Sequence, residues 1–154
     1  MKIILAITSL FVPALLAMTP AYAAAAPPTQ GAQAALQIEV EASRTTGQIA
    51  LAIYRDADSF RRSANPVRTL KLERKGAVTS ASLTGLPPGR YVIAAFQDTD
   101  GDGKLSTGNF GIPREPFGFS NNARARFGLP SFDAAAFSLT ASGTTQRVVL
   151  RGLF

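Results

Sequence analysis

Residues 85–96 read Gly-Leu-Pro-Pro-Gly-Arg-Tyr-Val-Ile-Ala-Ala-Phe. Pro87 and Pro88 lack the N–H that a strand ladder needs, so the pair belongs at a corner where the chain leaves one sheet for another. Gly89 permits the sharp turn that follows. From Tyr91 to Phe96 the chain is apolar on both faces of a period-two pattern, which marks a strand covered on both sides. A tyrosine at the exit of such a corner can place its ring in the core and return its hydroxyl to the corner backbone, as in Greek-key sandwiches.

Working upstream, residues 35–42 alternate, with Leu36, Ile38 and Val40 on one face and Gln37, Glu39 and Glu41 on the other. This is the pattern of a half-buried strand. Residues 48–55 repeat it with Ile49, Leu51 and Ile53, but Ala50, Ala52 and Tyr54 make the second face apolar too. Arg44-Thr45-Thr46-Gly47 reads as the turn between them. Asp58 is placed to cap a short helical turn over residues 59–64, stopped by Pro66. Residues 67–73 and 77–83 read as strands joined in a hairpin by Lys75-Gly76. Downstream, residues 136–139 and 146–150 supply the last strands. About seven short strands separated by turn signals predict an all-β chain, a single β-sandwich of immunoglobulin-like or prealbumin-like kind.

The N-terminus carries a different signal. Lys2, the apolar stretch Ile3 to Leu16 and the small residues of Ala21-Tyr22-Ala23 have the layout of a secretory signal peptide. The expectation is cleavage after residue 23, a disordered lead-in over 24–34, and a sandwich domain over 35–154, periplasmic or secreted, with no transmembrane segment in the mature chain. Without Lys2 the balance is 15 basic to 10 acidic residues, or +5. Such a surface favours anionic partners such as a cell-envelope glycan. Another exported protein is the alternative partner, and nucleic acid is not expected in that compartment. The chain has 0 cysteines and 0 histidines. It therefore has no disulfide, no Ser–His or Cys–His nucleophile pair, and no zinc site of the usual His/Cys type. What remains is hard-cation binding by oxygen ligands, or carboxylate chemistry of the kind used on glycosides, for which Glu115 and Asp133 are the available pair. A non-catalytic module is the leading reading and a carboxylate-dependent hydrolase the weaker one.

The long segment 98–133 has neither strand nor helix periodicity, and loops of this length in compact domains usually have a function. It opens with Asp98-Thr99-Asp100-Gly101-Asp102-Gly103-Lys104. Three carboxylates at alternate positions can converge on one Ca²⁺, with a glycine at the sixth position for the turn and the carbonyl of Lys104 at the seventh. The twelfth position is Asn109 where a helix–loop–helix calcium site has glutamate, so Asn109 or Glu115 would complete the shell. A metal-free Asp-Gly hairpin tip has the same composition, and the residues alone leave both open. Further on, Phe117, Phe119, Asn121 and Asn122 can stack on and bond a ligand. Arg124 and Arg126 can take a phosphate or carboxylate. Equally, the five phenylalanines of the segment can fold back as a small second core.

Taken together, the Leu86-Pro87-Pro88-Gly89 corner, Tyr91, Ala94-Ala95-Phe96, the Asp98–Leu105 loop, Gly111-Ile112-Pro113-Arg114-Glu115, Phe117-Gly118-Phe119-Ser120-Asn121-Asn122 and Gly128-Leu129-Pro130-Ser131-Phe132-Asp133 resemble the bacterial exported family known as domain of unknown function 2141. The resemblance implies an exported domain and transfers no activity. The corner is also similar to prealbumin-like surface modules at the level of fold.

Overall fold

The computed structural model describes residues 34–125 and 128–152. The segment read as a signal peptide, all of the expected lead-in but its last residue, Arg126, Phe127 and the last two residues of the expected domain, Leu153 and Phe154, lie outside them. Eight strands form two sheets: β1 (Ala34–Glu41), β2 (Gln48–Tyr54), β3 (Arg68–Glu73), β4 (Val78–Leu86), β5 (Gly89–Asp98), β6 (Phe117–Phe119), β7 (Phe137–Leu139) and β8 (Thr144–Val149). Two short helices interrupt them, α1 (Ala57–Arg61) and α2 (Phe132–Ala135). One sheet has the order β4-β1-β8, with β1 and β8 parallel. The other has the order β3-β2-β5-β6, and β7 pairs with the start of β5. The result is the predicted all-β sandwich.

The period-two faces account for the core. Leu36, Ile38 and Val40 of β1 are fully buried against Ile49, Leu51 and Ile53 of β2, with Tyr91, Ile93 and Ala95 of β5 in the same cluster. The proline corner carries the chain from β4 in one sheet to β5 in the other. The buried Tyr91 ring lies beneath it, and its hydroxyl donates to the Pro87 carbonyl at 2.7 Å. That bond is worth about 1 kcal/mol net.

Two sequence expectations are corrected. Lys75-Gly76 does not make a hairpin: β3 pairs with β2 and β4 pairs with β1, so this connection also crosses between sheets. Turn residues permit both outcomes, and the partners available to each strand decide. At α1 the cap is Asp56, which accepts from the Ser59 N–H at 2.8 Å, while Asp58 sits inside the first turn and pairs with Arg61.

The long segment contains more order than its pattern indicated. Phe117–Phe119 adds to the sheet beside β5. The backbone of Phe117 also exchanges hydrogen bonds with Arg151, just past β8, at 3.0 and 3.1 Å. The two sheets are thus stitched together along that edge. Gly118 is required there, because a Cβ would lie 2.3 Å from the Val149 carbonyl oxygen. The phenylalanines divide between packing and solvent. Phe119 is buried with Phe60, Tyr54 and Val92, and Phe117 and Phe132 pack against this second cluster. Phe110 does not join it.

Candidate functional site

The base of the long segment is a buried polar layer. Gln97 is fully buried, and its amide donates to the carbonyls of Arg44 and Thr46 at 2.8 and 2.6 Å and accepts from the Arg44 N–H at 3.1 Å. This pins the β1–β2 connection to the end of β5. Glu115 is 3% exposed and closes the segment. Its Oε1 accepts from the Thr99 N–H and hydroxyl at 2.6 and 2.9 Å, and its Oε2 accepts from the Ser106 N–H at 3.0 Å. A buried carboxylate needs such donors to offset its desolvation.

Above this base, Asp98, Asp100 and Asp102 each bring a carboxylate oxygen within 4.8 Å of the others. Asp98 is 2% exposed. Its two oxygens accept from the Gly101 and Gly103 N–H groups at 2.7 and 2.9 Å. Asp100 accepts from the Asp102 N–H at 3.2 Å and the Ser106 hydroxyl at 2.8 Å, and Asp102 accepts from the Lys104 N–H at 2.7 Å. The Ser106 hydroxyl, followed by the Asp102 amide, holds the Asp100 carboxyl below its ordinary value. A carboxylate has about four lone-pair sites. These amide bonds aim the oxygens and leave acceptor capacity on each aspartate, most of all on Asp102. Among the described residues no lysine or arginine is ion-paired to the three. Gly101 and Gly103 supply the left-handed backbone (φ +79° and +76°) that lets the chain wrap around the cluster.

Of the other residues proposed as calcium ligands, Lys104 follows the three aspartates on the same loop, its N–H bonded to Asp102. Glu115 holds the loop base with both oxygens and does not join the close group of three. Asn109 lies on the exposed Ser106–Arg114 hairpin beyond it. Of the residues proposed for ligand binding, Phe119 is in the second core. Asn121 donates to the Ala136 carbonyl at 2.7 Å, and Asn122 accepts from the Val149 N–H at 3.3 Å. Both asparagines occupy left-handed backbone (φ +55° and +48°), which this side chain tolerates. Ser120, between these asparagines and Phe119, is fully buried; it accepts from the Ile93 N–H and donates to the Ala135 carbonyl. The Phe-Ser-Asn-Asn run therefore fastens β6 to its surroundings. Arg124 is exposed beside a depression of about 140 Å³ that Arg151 also lines. Arg126 is outside the described residues.

Sequence reasoning missed a groove of about 670 Å³ on the outer face of the β3-β2-β5-β6 sheet. Ala50, Ala52 and Ala94 form its floor, Tyr54, Phe96, Phe117 and Phe119 its walls, and Gly103 and Leu105 of the aspartate loop one side. Small residues on that face leave a trough where larger ones would fill it. Burial of Tyr54 at its end raises the phenol above its ordinary value of 10.0. Lys71 stands at the margin, its ammonium 3.1 Å from where a Cβ on Gly103 would be. The volume falls in the range of small-molecule sites, about 300–1,000 Å³. The available signal was the second apolar face of β2, which reads in sequence only as burial.

Residues 38–147 match the family model described as an uncharacterized protein conserved in bacteria (DUF2141), and the chain belongs to that family. No curated protein and no solved structure matches it.

Proposed function

We propose that this protein is an exported, non-catalytic binding or structural module in which Ca²⁺ orders the long segment. The observation that carries the reading is the aspartate cluster, three carboxylates mutually within 4.8 Å on a loop that forms one side of the apolar groove. Three such charges repel one another, and a hard cation relieves this while leaving the amide bonds in place. Ordering the loop then shapes the groove wall made by Gly103 and Leu105. The non-catalytic part of the reading is supported by the absence of cysteine and histidine. It is also supported by the use of Glu115 as a loop clamp and of Asp133 as the partner of Arg90 at 2.8 Å.

Limited proteolysis tests the proposal. With calcium, cleavage within residues 99–114 should slow relative to chelator, and magnesium should substitute poorly because it demands a tighter octahedron. Equal cleavage in both conditions rejects calcium as the ordering agent. Export is tested by mass spectrometry of the secreted product. A start within a few residues of Ala24 supports it, and an uncut chain retained in the cytoplasm rejects it.

A second reading, adhesion to anionic envelope glycans, draws on Arg124 and Arg151 at their shared depression. Salt-sensitive retention on lipopolysaccharide or peptidoglycan, lost when both arginines are replaced by glutamine, distinguishes it.

A further inference from the structure

Residues 106–114 form a braced hairpin outside the groove and the second core. Its stem is held by the Arg114 N–H on the Ser106 carbonyl at 2.9 Å and by the pairing of Thr107 with Pro113. Its tip is closed by the Gly108 N–H on the Ile112 carbonyl at 2.7 Å. At the apex stands Phe110, 100% exposed, with Ile112 at 38%. Phe110 occupies left-handed backbone, φ +63° and ψ +21°, which is costly for a bulky side chain. The fold thus holds an aromatic ring away from both cores in a strained conformation, with no packing of that ring among the described residues to offset the cost.

Behind the ring are two arginines. The Arg114 guanidinium lies over Gly108, its Nε 2.9 Å from where a Cβ would stand, and Arg44 donates to the Arg114 carbonyl at 3.2 Å. Neither is ion-paired among the described residues. Both line a depression of about 390 Å³ together with Phe110, Ile112 and Pro113.

We propose that this hairpin docks the protein on an anionic phospholipid surface, with Phe110 entering the acyl boundary and Arg44 and Arg114 engaging headgroup phosphates. An apolar tip backed by cations reproduces the order of layers in a bilayer leaflet. Without Lys2 the chain carries a net charge of +5, which draws it towards a negative surface. A rigid tip has little ordering cost to meet on insertion. Protein–protein anchors sit in the middle of a broad apolar patch. Here the ring is flanked by Gly108, Asn109 and Gly111. The exposed Asp100 and Asp102 on the neighbouring turn oppose an anionic surface, so the test is run in chelator, where its outcome is independent of calcium.

The chain starting at Ala24, which keeps every described residue, is sedimented with vesicles of phosphatidylcholine alone and with about a third phosphatidylglycerol. Binding should require the anionic lipid and weaken with salt. Phe110→Ser should weaken it about tenfold or more, at unchanged melting temperature. Arg44→Gln with Arg114→Gln should remove most of the dependence on anionic lipid. The chain contains 0 tryptophans. The F110W variant therefore carries a single reporter, whose emission should shift to the blue on anionic vesicles and be quenched by brominated acyl chains. Equal binding by the parent and Phe110→Ser overturns the proposal, as does an emission unmoved by vesicles. If Phe110→Ser instead turns a dimer into a monomer in lipid-free buffer, the tip joins two copies of the chain and the bilayer assignment is wrong.

Discussion

Replacing Glu115 isolates the clamp at the base of the long segment. Its carboxylate accepts three hydrogen bonds, two of them from backbone amides, and the side chain is 3% exposed. Hydrogen bonds to charged groups contribute about 1.5–3 kcal/mol each, and an orphaned buried donor costs about 1–3 kcal/mol. Glu115→Ala removes all three acceptor contacts, and water entering the vacated space recovers part of the loss. The expected destabilisation is about 2–4 kcal/mol, a large share of the roughly 5–15 kcal/mol typical of a domain. Glu115→Gln is the sharper test. Its oxygen can still serve Thr99, but its NH₂ then meets the Ser106 N–H, donor against donor. The expected loss is about 1–3 kcal/mol despite nearly identical shape. Equilibrium urea denaturation measures both variants, and limited proteolysis should show earlier cleavage between Thr99 and Arg114. A glutamine variant within about 0.5 kcal/mol of the parent, with unchanged cleavage, would refute the clamp.

Tyr91→Phe should lose about 1 kcal/mol by urea denaturation, because the ring stays packed while its bond to the Pro87 carbonyl is removed. Gly118→Ala should lose about 2 kcal/mol or more, since its Cβ would meet the Val149 carbonyl oxygen at 2.3 Å and part β6 from β8. Stability should also depend on pH at both ends of the range. Asp56 and Asp100 are held below the ordinary 3.8, Asp56 chiefly by the Ser59 amide and Asp100 by the Ser106 hydroxyl. Between the folded and unfolded values the unfolded chain binds more protons. Their contribution is therefore present above about pH 4 and lost as pH falls through the folded values. Ser106→Ala should flatten that acid slope in melting curves. Tyr54 is raised by burial, so its contribution is present below 10.0 and declines as pH rises through the folded value.

The parts of the fold that were legible in sequence rest on local physics. Pro87 and Pro88 cannot join a ladder, and the alternation through Leu36, Ile38 and Val40 can bury only one way. The Lys75-Gly76 connection was misread because a turn has the same residues whether the chain returns to its own sheet or crosses to the other. What settles it is pairing with β1 and β2, which are distant in sequence. Phe117-Gly118-Phe119 is too short to show a period, and its strand character comes wholly from β5 and Arg151. At the site, the three aspartates were recognisable by their spacing. The burial of Asp98 and Glu115 was not, because charged residues are rarely inside and nothing local announces that four backbone amides converge on them. The groove was hidden for the opposite reason: Ala50, Ala52 and Ala94 look like ordinary core residues until the outer face is found only partly covered by the second core.

Whether a cation organises the aspartate loop is decided by calorimetric titration of the chain starting at Ala24 with calcium. One site is expected, with a dissociation constant on the order of 10⁻⁴ to 10⁻³ M because the bidentate glutamate of tighter sites is missing. The melting temperature should rise as calcium passes that concentration. Asp100→Asn with Asp102→Asn preserves side-chain acceptors for the turn amides while removing two charges, and it should abolish both the heat and the thermal shift. No heat of binding, together with superimposable melting curves in chelator and in millimolar calcium, would contradict the claim and leave the cluster as a hydrogen-bonded hairpin tip.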